Sequence, residues 1–141
     1  MPLYRLGLAA RVLGVSVDTV RRHADAGRLA SMRTAGHQRL VDGADLARLA
    51  ESLEPDHASE GASSARNHML GIVTKVVADR VAAQVEMRCG PFRVVSLLTR
   101  ESVDELGLEA GVLVNAVIKA TNVVVERVVD RDVGGERADA R

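Results

Sequence analysis

The chain has 141 residues, a formal net charge of zero, 47% apolar residues and only 1% aromatics. That length fits one domain or two small ones, with a core that Val, Leu and Ala must fill. Cys89 is the sole cysteine, which excludes an intrachain disulfide and a cysteine-rich zinc site; no apolar run nears the roughly 18 residues of a membrane span, and Arg5 interrupts the first apolar residues where a signal peptide would continue, so a cytoplasmic protein without a membrane partner is expected.

Residues 1–53 carry a helical period. Leu6, Ala9, Ala10 and Leu13 lie at i, i+3, i+4 and i+7 and form one apolar stripe. Gly14 breaks that helix. Ser16 suits the N-cap of a second helix, with Asp18 in the first turn where negative charge is favoured. Val17, Val20 and Ala24 form its inner face, and Gly27 ends it. The stretch RLASMRTAGHQRLV reads as two short extended pieces around Ala35-Gly36, a β-hairpin. A third helix spans about Asp42 to Leu53, with Leu46, Leu49, Ala50 and Leu53 at helical spacing. This segment holds eight Arg against five acidic residues, a net of +3, while residues 54–65 hold three acids and no Lys or Arg. A basic segment beside a neutral remainder points to different partners for the two halves.

Helix, glycine turn, capped helix, hairpin and helix is a winged helix-turn-helix layout. The outward face of the second helix carries Thr19, Arg21, Arg22 and His23, donors suited to phosphates and guanine edges in the major groove of double-stranded DNA. Arg33, Thr34, His37 and Arg39 give the hairpin the character of a basic wing along the backbone. On these residues, VSVDTVRRHADAGRLASMRTAGHQRL resembles the compact DNA-binding domain of the MerR and excisionase family, over about residues 4–53. That family's wing usually reads Arg-Thr-Pro-Gly-Gly-His-Arg-Arg-Phe. Here Ala35 takes the Pro position, Gly36 stands alone and Leu40 replaces Phe, so the wing is slightly shortened. A solvated helix face explains an isolated Arg-Arg-His; the glycine turn, the cap and the wing arginines together favour DNA contact.

Glu54–Ser64 is rich in Ser, Ala, Gly and acids without a hydrophobic period, and reads as a linker. Beyond it the period changes. LGIVTKVV, RVAAQVEMRC, FRVVSLL, VLVNAVI and NVVVERVV are Val-rich runs of strand length, and TRESVDELGL between the third and fourth reads as a short helix. Five strands and a helix over residues 65–130 predict a small closed barrel of the OB type, with 131–141 as a flexible tail. The fold class expected is α+β, in two domains.

Three stretches of the second half share donor chemistry: Ser64–Asn67 before the first strand, Thr99–Ser102 at the start of the short helix, and Ile118–Thr121 after the fourth strand. They offer hydroxyls, cations and backbone N–H groups freed at turns and helix starts. A fully deprotonated tetrahedral oxyanion presents only acceptors, so a donor-only set matches it. The sequence from Ser64 through Glu126 resembles the molybdate-binding Mop, or TOBE, domain, which has SARN, TxxS and KA[TS] motifs in this order. The resemblance implies a molybdate or tungstate ligand held by Ser64, Arg66, Thr99, Ser102 and Lys119, with backbone support from Ala120, in a pocket shared between subunits of a dimer or hexamer. Taken singly, each of these residues is more simply a linker end, a helix cap or a solvated strand residue. No metal site by direct protein coordination is expected: His23 and His37 sit on the DNA-facing elements, His57 falls in the linker, and His68 is not at ligand spacing from another His or Cys.

The halves together predict a DNA-binding transcriptional regulator that responds to molybdate or tungstate. The alternative is an intracellular molybdate storage protein with an accessory DNA-binding domain. A single-strand-binding barrel would stack bases on aromatics, and the second half offers only Phe92. A transporter ATPase would need a GxxxxGK[ST] loop, and an excisionase would leave the three donor motifs idle. No catalytic constellation is present, so an enzyme is not expected.

Overall fold

In the computed structural model, which describes residues 2–53 and 63–128, the chain forms two compact units, the second ending at Val125. The linker residues 54–62, His57 among them, and residues 129–141 lie outside the described residues.

The first unit begins with a strand that the helical period concealed, β1 (Leu3–Arg5). It leads straight into α1 (Leu6–Leu13), which ends at Gly14 with φ 68°, a left-handed conformation that only glycine adopts without cost. Next comes α2 (Val17–Asp25). Its N-cap is Ser16, whose Oγ accepts the Thr19 N–H at 3.1 Å. β2 (Ser31–Arg33) and β3 (Arg39–Asp42) then form the expected hairpin, turned by Thr34–Gln38 with His37 at φ 61°. α3 (Gly43–Ser52) is capped by Asp42, whose carboxylate accepts from the Ala44 and Asp45 N–H groups. The sheet order is β1-β3-β2, all antiparallel. Ala9, Val20, Ala24, Leu29, Val41, Leu46 and Leu49 pack into one core, so the apolar stripes of all three helices meet over β3.

The second unit is built on β4 (Asn67–Ala78), β5 (Ala82–Cys89), β6 (Phe92–Thr99), α4 (Arg100–Leu106) and β7 (Leu113–Ile118). The sheet order is β6-β5-β4-β7, again antiparallel, with an irregularity between Val73 and Lys75 that bends the long strand. Val73, Ala83, Val85, Met87, Val103 and Ala116 form its core. Gly71 is needed by close approach, since a Cβ there would lie 2.5 Å from the Cys89 Sγ and 2.8 Å from the Arg88 carbonyl oxygen.

The fold class is α+β. One expectation changes. The fifth Val-rich run pairs with no strand among the described residues, and the expected barrel is an open four-stranded sheet. After β7 the chain makes a 3-10 turn at Ala120–Asn122, and Val123–Val128 continues without a ladder. Valine propensity makes a segment extended, but a strand also needs a backbone partner, and this segment has none in its own sheet.

Candidate functional site

At one end of the second sheet, β4 pairs with β7. Asn67 opens β4 opposite Ile118, the last residue of β7, and its Nδ2 donates to the Ile118 carbonyl at 3.0 Å. Lys119 follows Ile118 directly, so the first and third donor stretches meet here. Ala65 is buried and its N–H donates to Ser63 Oγ at 3.1 Å, which anchors the approach to β4. Arg66 is exposed, with Nη1 donating to the carbonyls of Ser63 at 3.4 Å and Ser64 at 3.3 Å. Those two contacts restrain the guanidinium and use only part of its donor capacity. Ser64, Lys119 and Ala120 are exposed.

The second donor stretch lies elsewhere. Thr99 caps α4: its Oγ1 accepts the Ser102 N–H at 3.1 Å and donates to Ser102 Oγ at 2.8 Å. Thr99 pairs with Ala82, beside the β4–β5 turn. In that turn the Asp79 carboxylate accepts the Val81 and Ala82 N–H groups, each at 2.8 Å. Those bonds, from Ala82 first and Val81 next, with a smaller contribution from nearby Arg100, hold the Asp79 carboxyl below its ordinary value. Arg100 ties the turn to α4, its N–H donating to the Val81 carbonyl at 2.9 Å and its Nη1 to the Asp79 carbonyl at 3.2 Å. The twelve residues of β4 therefore separate Thr99 and Ser102 from the other donors, a path of roughly 35 Å at about 3.3 Å per residue. One chain gathers Ser64, Arg66, Lys119 and Ala120 at one end of β4 and places Thr99 and Ser102 at the other.

In the first unit the candidate DNA-facing residues form short side-chain chains. Arg22 Nη2 donates to Thr19 Oγ1 at 3.1 Å, and Arg21 pairs with Asp18 at 2.6 Å on the exposed surface. His23 Nδ1 lies 3.0 Å from Arg28 Nη1. On the hairpin, Arg33 and His37 are exposed, and Thr34 is half-buried with its Oγ1 accepting the Gln38 N–H at 3.2 Å. Arg39 differs from the rest. Its side chain is only 17% exposed, pairing with Asp25 at 2.5 Å and donating from Nε to Ser31 Oγ at 3.0 Å. It clamps the hairpin to the end of α2.

Sequence reasoning passed over several positioning residues. Asn67 stands inside the quoted SARN stretch, yet its bond to Ile118 needs the β4–β7 register to be seen. Asp79 and Arg100 read as an ordinary turn residue and a helix-start cation, and Asp25 and Arg28 as surface charge. Among the described residues no group of three His, Cys, Asp or Glu side chains could hold a metal ion, and no helix is long and apolar enough to cross a membrane.

Comparison with known proteins divides the chain in the same way. Residues 3–54 match the helix-turn-helix domain model and residues 63–125 match the TOBE domain model. Molybdenum-pterin-binding protein 3 of Clostridium pasteurianum is 36% identical over 63 residues, 44% of this chain and 93% of that protein. Molybdenum-pterin-binding protein 1 of the same organism is 35% identical over the same shares. Among solved structures, a molybdate-binding protein from Sporomusa ovata is 31% identical with a TM-score of 0.46, covering 48% of this chain and all 100% of its own.

Proposed function

Because the chain belongs to the TOBE-domain family and joins that domain to a helix-turn-helix domain, we propose that it is a DNA-binding regulator that senses molybdate or tungstate. The observation that carries this reading is the makeup of the three donor stretches. Ser64, Arg66, Thr99, Ser102, Lys119 and the Ala120 N–H all donate, and none is a carboxylate. A tetrahedral oxyanion with acceptors on every oxygen fits such a set, and a protonated ligand, which must also donate, fits it less well. Because the donors sit at opposite ends of β4, the pocket is assembled from two copies, one giving Ser64, Arg66 and Lys119 and the other Thr99 and Ser102. The names of the molybdenum-pterin-binding relatives point to the same ligand chemistry.

DNA is held by α2 through Thr19, Arg21, Arg22 and His23, and by the hairpin through Arg33, Thr34 and His37. Arg39 sets the angle between these two elements. The domain boundaries follow: 1–53 for DNA, 54–64 as linker and 65–130 for the oxyanion, with 131–141 as a tail. The protein acts as a homo-oligomer in the cytoplasm, without enzymatic activity. A storage role is the second reading, favoured by relatives that consist of little beyond the matched domain, since this chain covers 93% of their length.

Titrating molybdate into a complex of the full chain with its own upstream DNA decides between the two. Coupling of about 1–3 kcal/mol, or 5- to 150-fold in DNA affinity, is expected of a regulator, and unchanged affinity leaves storage. Calorimetry should give molybdate and tungstate far tighter binding than sulfate; equal affinity for sulfate defeats the selectivity for the larger oxyanions. Lys119→Ala should cost about 1.5–3 kcal/mol of that binding, the scale of a hydrogen bond to a charged group.

A further inference from the structure

The end of α2 is closed by three backbone bonds. The Ala26 N–H donates to the Arg22 carbonyl at 2.9 Å, the Gly27 N–H to Ala24 at 3.1 Å and the Arg28 N–H to His23 at 3.0 Å. Gly27 takes φ 79°, so the chain turns left-handed there and folds Arg28 back onto the last turn of the helix. In this kind of helix ending, the two positions that His23 and Arg28 occupy usually hold an apolar contact. Here the contact is polar, with His23 Nδ1 3.0 Å from Arg28 Nη1.

That contact decides where the histidine proton sits. A guanidinium has N–H donors and no acceptor, so Nδ1 must accept and carries no proton. The neutral imidazole then has its proton on Nε2, which makes no hydrogen bond among the described residues. Thr19, Arg22 and His23 stand at i, i+3 and i+4, one face of α2. Arg28 is exposed and makes no ion pair among the described residues, whereas Arg21 and Arg39 are each matched to an aspartate. Its placement by the backbone therefore serves His23 and no carboxylate.

We propose that Arg28 is a positioning residue for DNA recognition: it orients the His23 ring and fixes the Nε2–H tautomer, so that α2 presents a neutral donor to an acceptor on DNA. The inference rests on the reading of the first unit as DNA-binding and adds a residue to it. The other tautomer would turn a lone pair toward the same acceptor. A phosphate oxygen and a base-edge acceptor such as guanine N7 make the same demand on this donor. Uncharged in this form, His23 contributes a short-range hydrogen bond and releases no counterion, unlike Arg22.

The test binds the full chain to the duplex of its own upstream region at about pH 8, above the ordinary histidine value of about 6.5. Nitrogen-15 NMR of the free chain should show His23 as the Nε2–H tautomer, and Arg28→Ala should add signal from the other. His23→Ala should weaken DNA binding by about 3- to 10-fold, the scale of one net hydrogen bond, with the salt slope unchanged. His23→Gln, whose amide N–H can stand near the Nε2 position, should recover most of that loss. Arg28→Ala should weaken binding in the wild-type background and add little once His23 is Ala. An Nδ1–H tautomer in the wild type, a His23→Gln variant no better than His23→Ala, or losses at the two positions that simply add would each overturn the proposal. Arg22→Ala is the control. If it weakens binding while His23→Ala does not, the proposal falls and the DNA reading stands; a wild-type chain that binds no DNA overturns both. Duplexes altered one base pair at a time name the acceptor: a His23→Ala loss equal across them belongs to a phosphate, a loss confined to one position belongs to a base edge, and either upholds the proposal.

Discussion

The two units of this chain solve the burial problem differently. In the first, three helices and a three-stranded sheet close over one core, and the candidate DNA-facing residues all stand on adjacent elements of a single copy. Even Arg39, whose side chain is only 17% exposed, finds Asp25 and Ser31 within the same unit. In the second, a four-stranded sheet keeps an open groove, a loose valine segment and donor stretches at both ends of its longest strand. One unit gathers its candidate residues on neighbouring elements, while the other divides its donor stretches between the two ends of β4. The chain thus joins a helix-turn-helix unit whose candidate residues lie together to a TOBE unit whose donor stretches lie apart.

The largest expected effect tests whether the units are independent. Leu29 is 1% exposed in the first core, and Leu29→Ala should cost about 3 kcal/mol through lost burial and a cavity. Tyr4 is the only tyrosine and packs against that core, so its fluorescence reports the first unit alone. Its transition should move to lower denaturant while the β signal of the second unit in circular dichroism stays in place. Gly71→Ala should do the reverse, at about 2 kcal/mol, because its Cβ would strike the Arg88 backbone. Joint shifts in both variants would break the comparison.

How much of this was legible beforehand follows the same division. In the first unit local signals sufficed: Ser16, Gly14, Gly27 and the Ala35-Gly36 turn fall where the structure needs them, since caps and turns depend on neighbours in sequence. Leu3–Arg5 was missed because a three-residue strand has no period of its own and exists only by pairing with β3. In the second unit the first four strands and the helix were legible from Val-rich runs and turn residues. The fate of the fifth was not, because pairing is decided by where the chain goes after Ala120–Asn122. The donor motifs could be read, but their division between two ends of β4 depends on register, which no spacing along the chain encodes.

A middle-sized effect sharpens the contrast within the first unit. Arg22→Ala removes an exposed cation, and should flatten the log–log salt dependence of DNA binding by about one unit while leaving stability nearly unchanged. Arg39→Ala should lower stability by about 1 kcal/mol, a modest amount because its partner Asp25 stays largely exposed, and should weaken DNA binding without the change in salt slope. Equal slopes for both variants would return Arg39 to the group of direct phosphate contacts.

The smallest expected effect concerns Asp79, and it reaches the second unit through a turn. Its carboxylate is held below the ordinary 3.8 chiefly by the Ala82 and Val81 N–H groups. A carboxyl whose folded value is depressed adds stability above its unfolded value, and that contribution disappears as pH falls through the folded value. Acidification from about pH 5 toward pH 3 should therefore weaken the second unit, and Asp79→Asn, which cannot titrate, should flatten that pH dependence. The turn also holds α4, since Arg100 bonds the carbonyls of both Val81 and Asp79. Loosening it by Asp79→Ala should shift Thr99 and Ser102 and reduce oxyanion affinity, while DNA binding by the first unit without oxyanion stays as it was. Calorimetry and DNA binding on the same preparation read both. An Asp79→Ala protein that binds oxyanion like wild type would show that the cap of α4 holds its place without the turn.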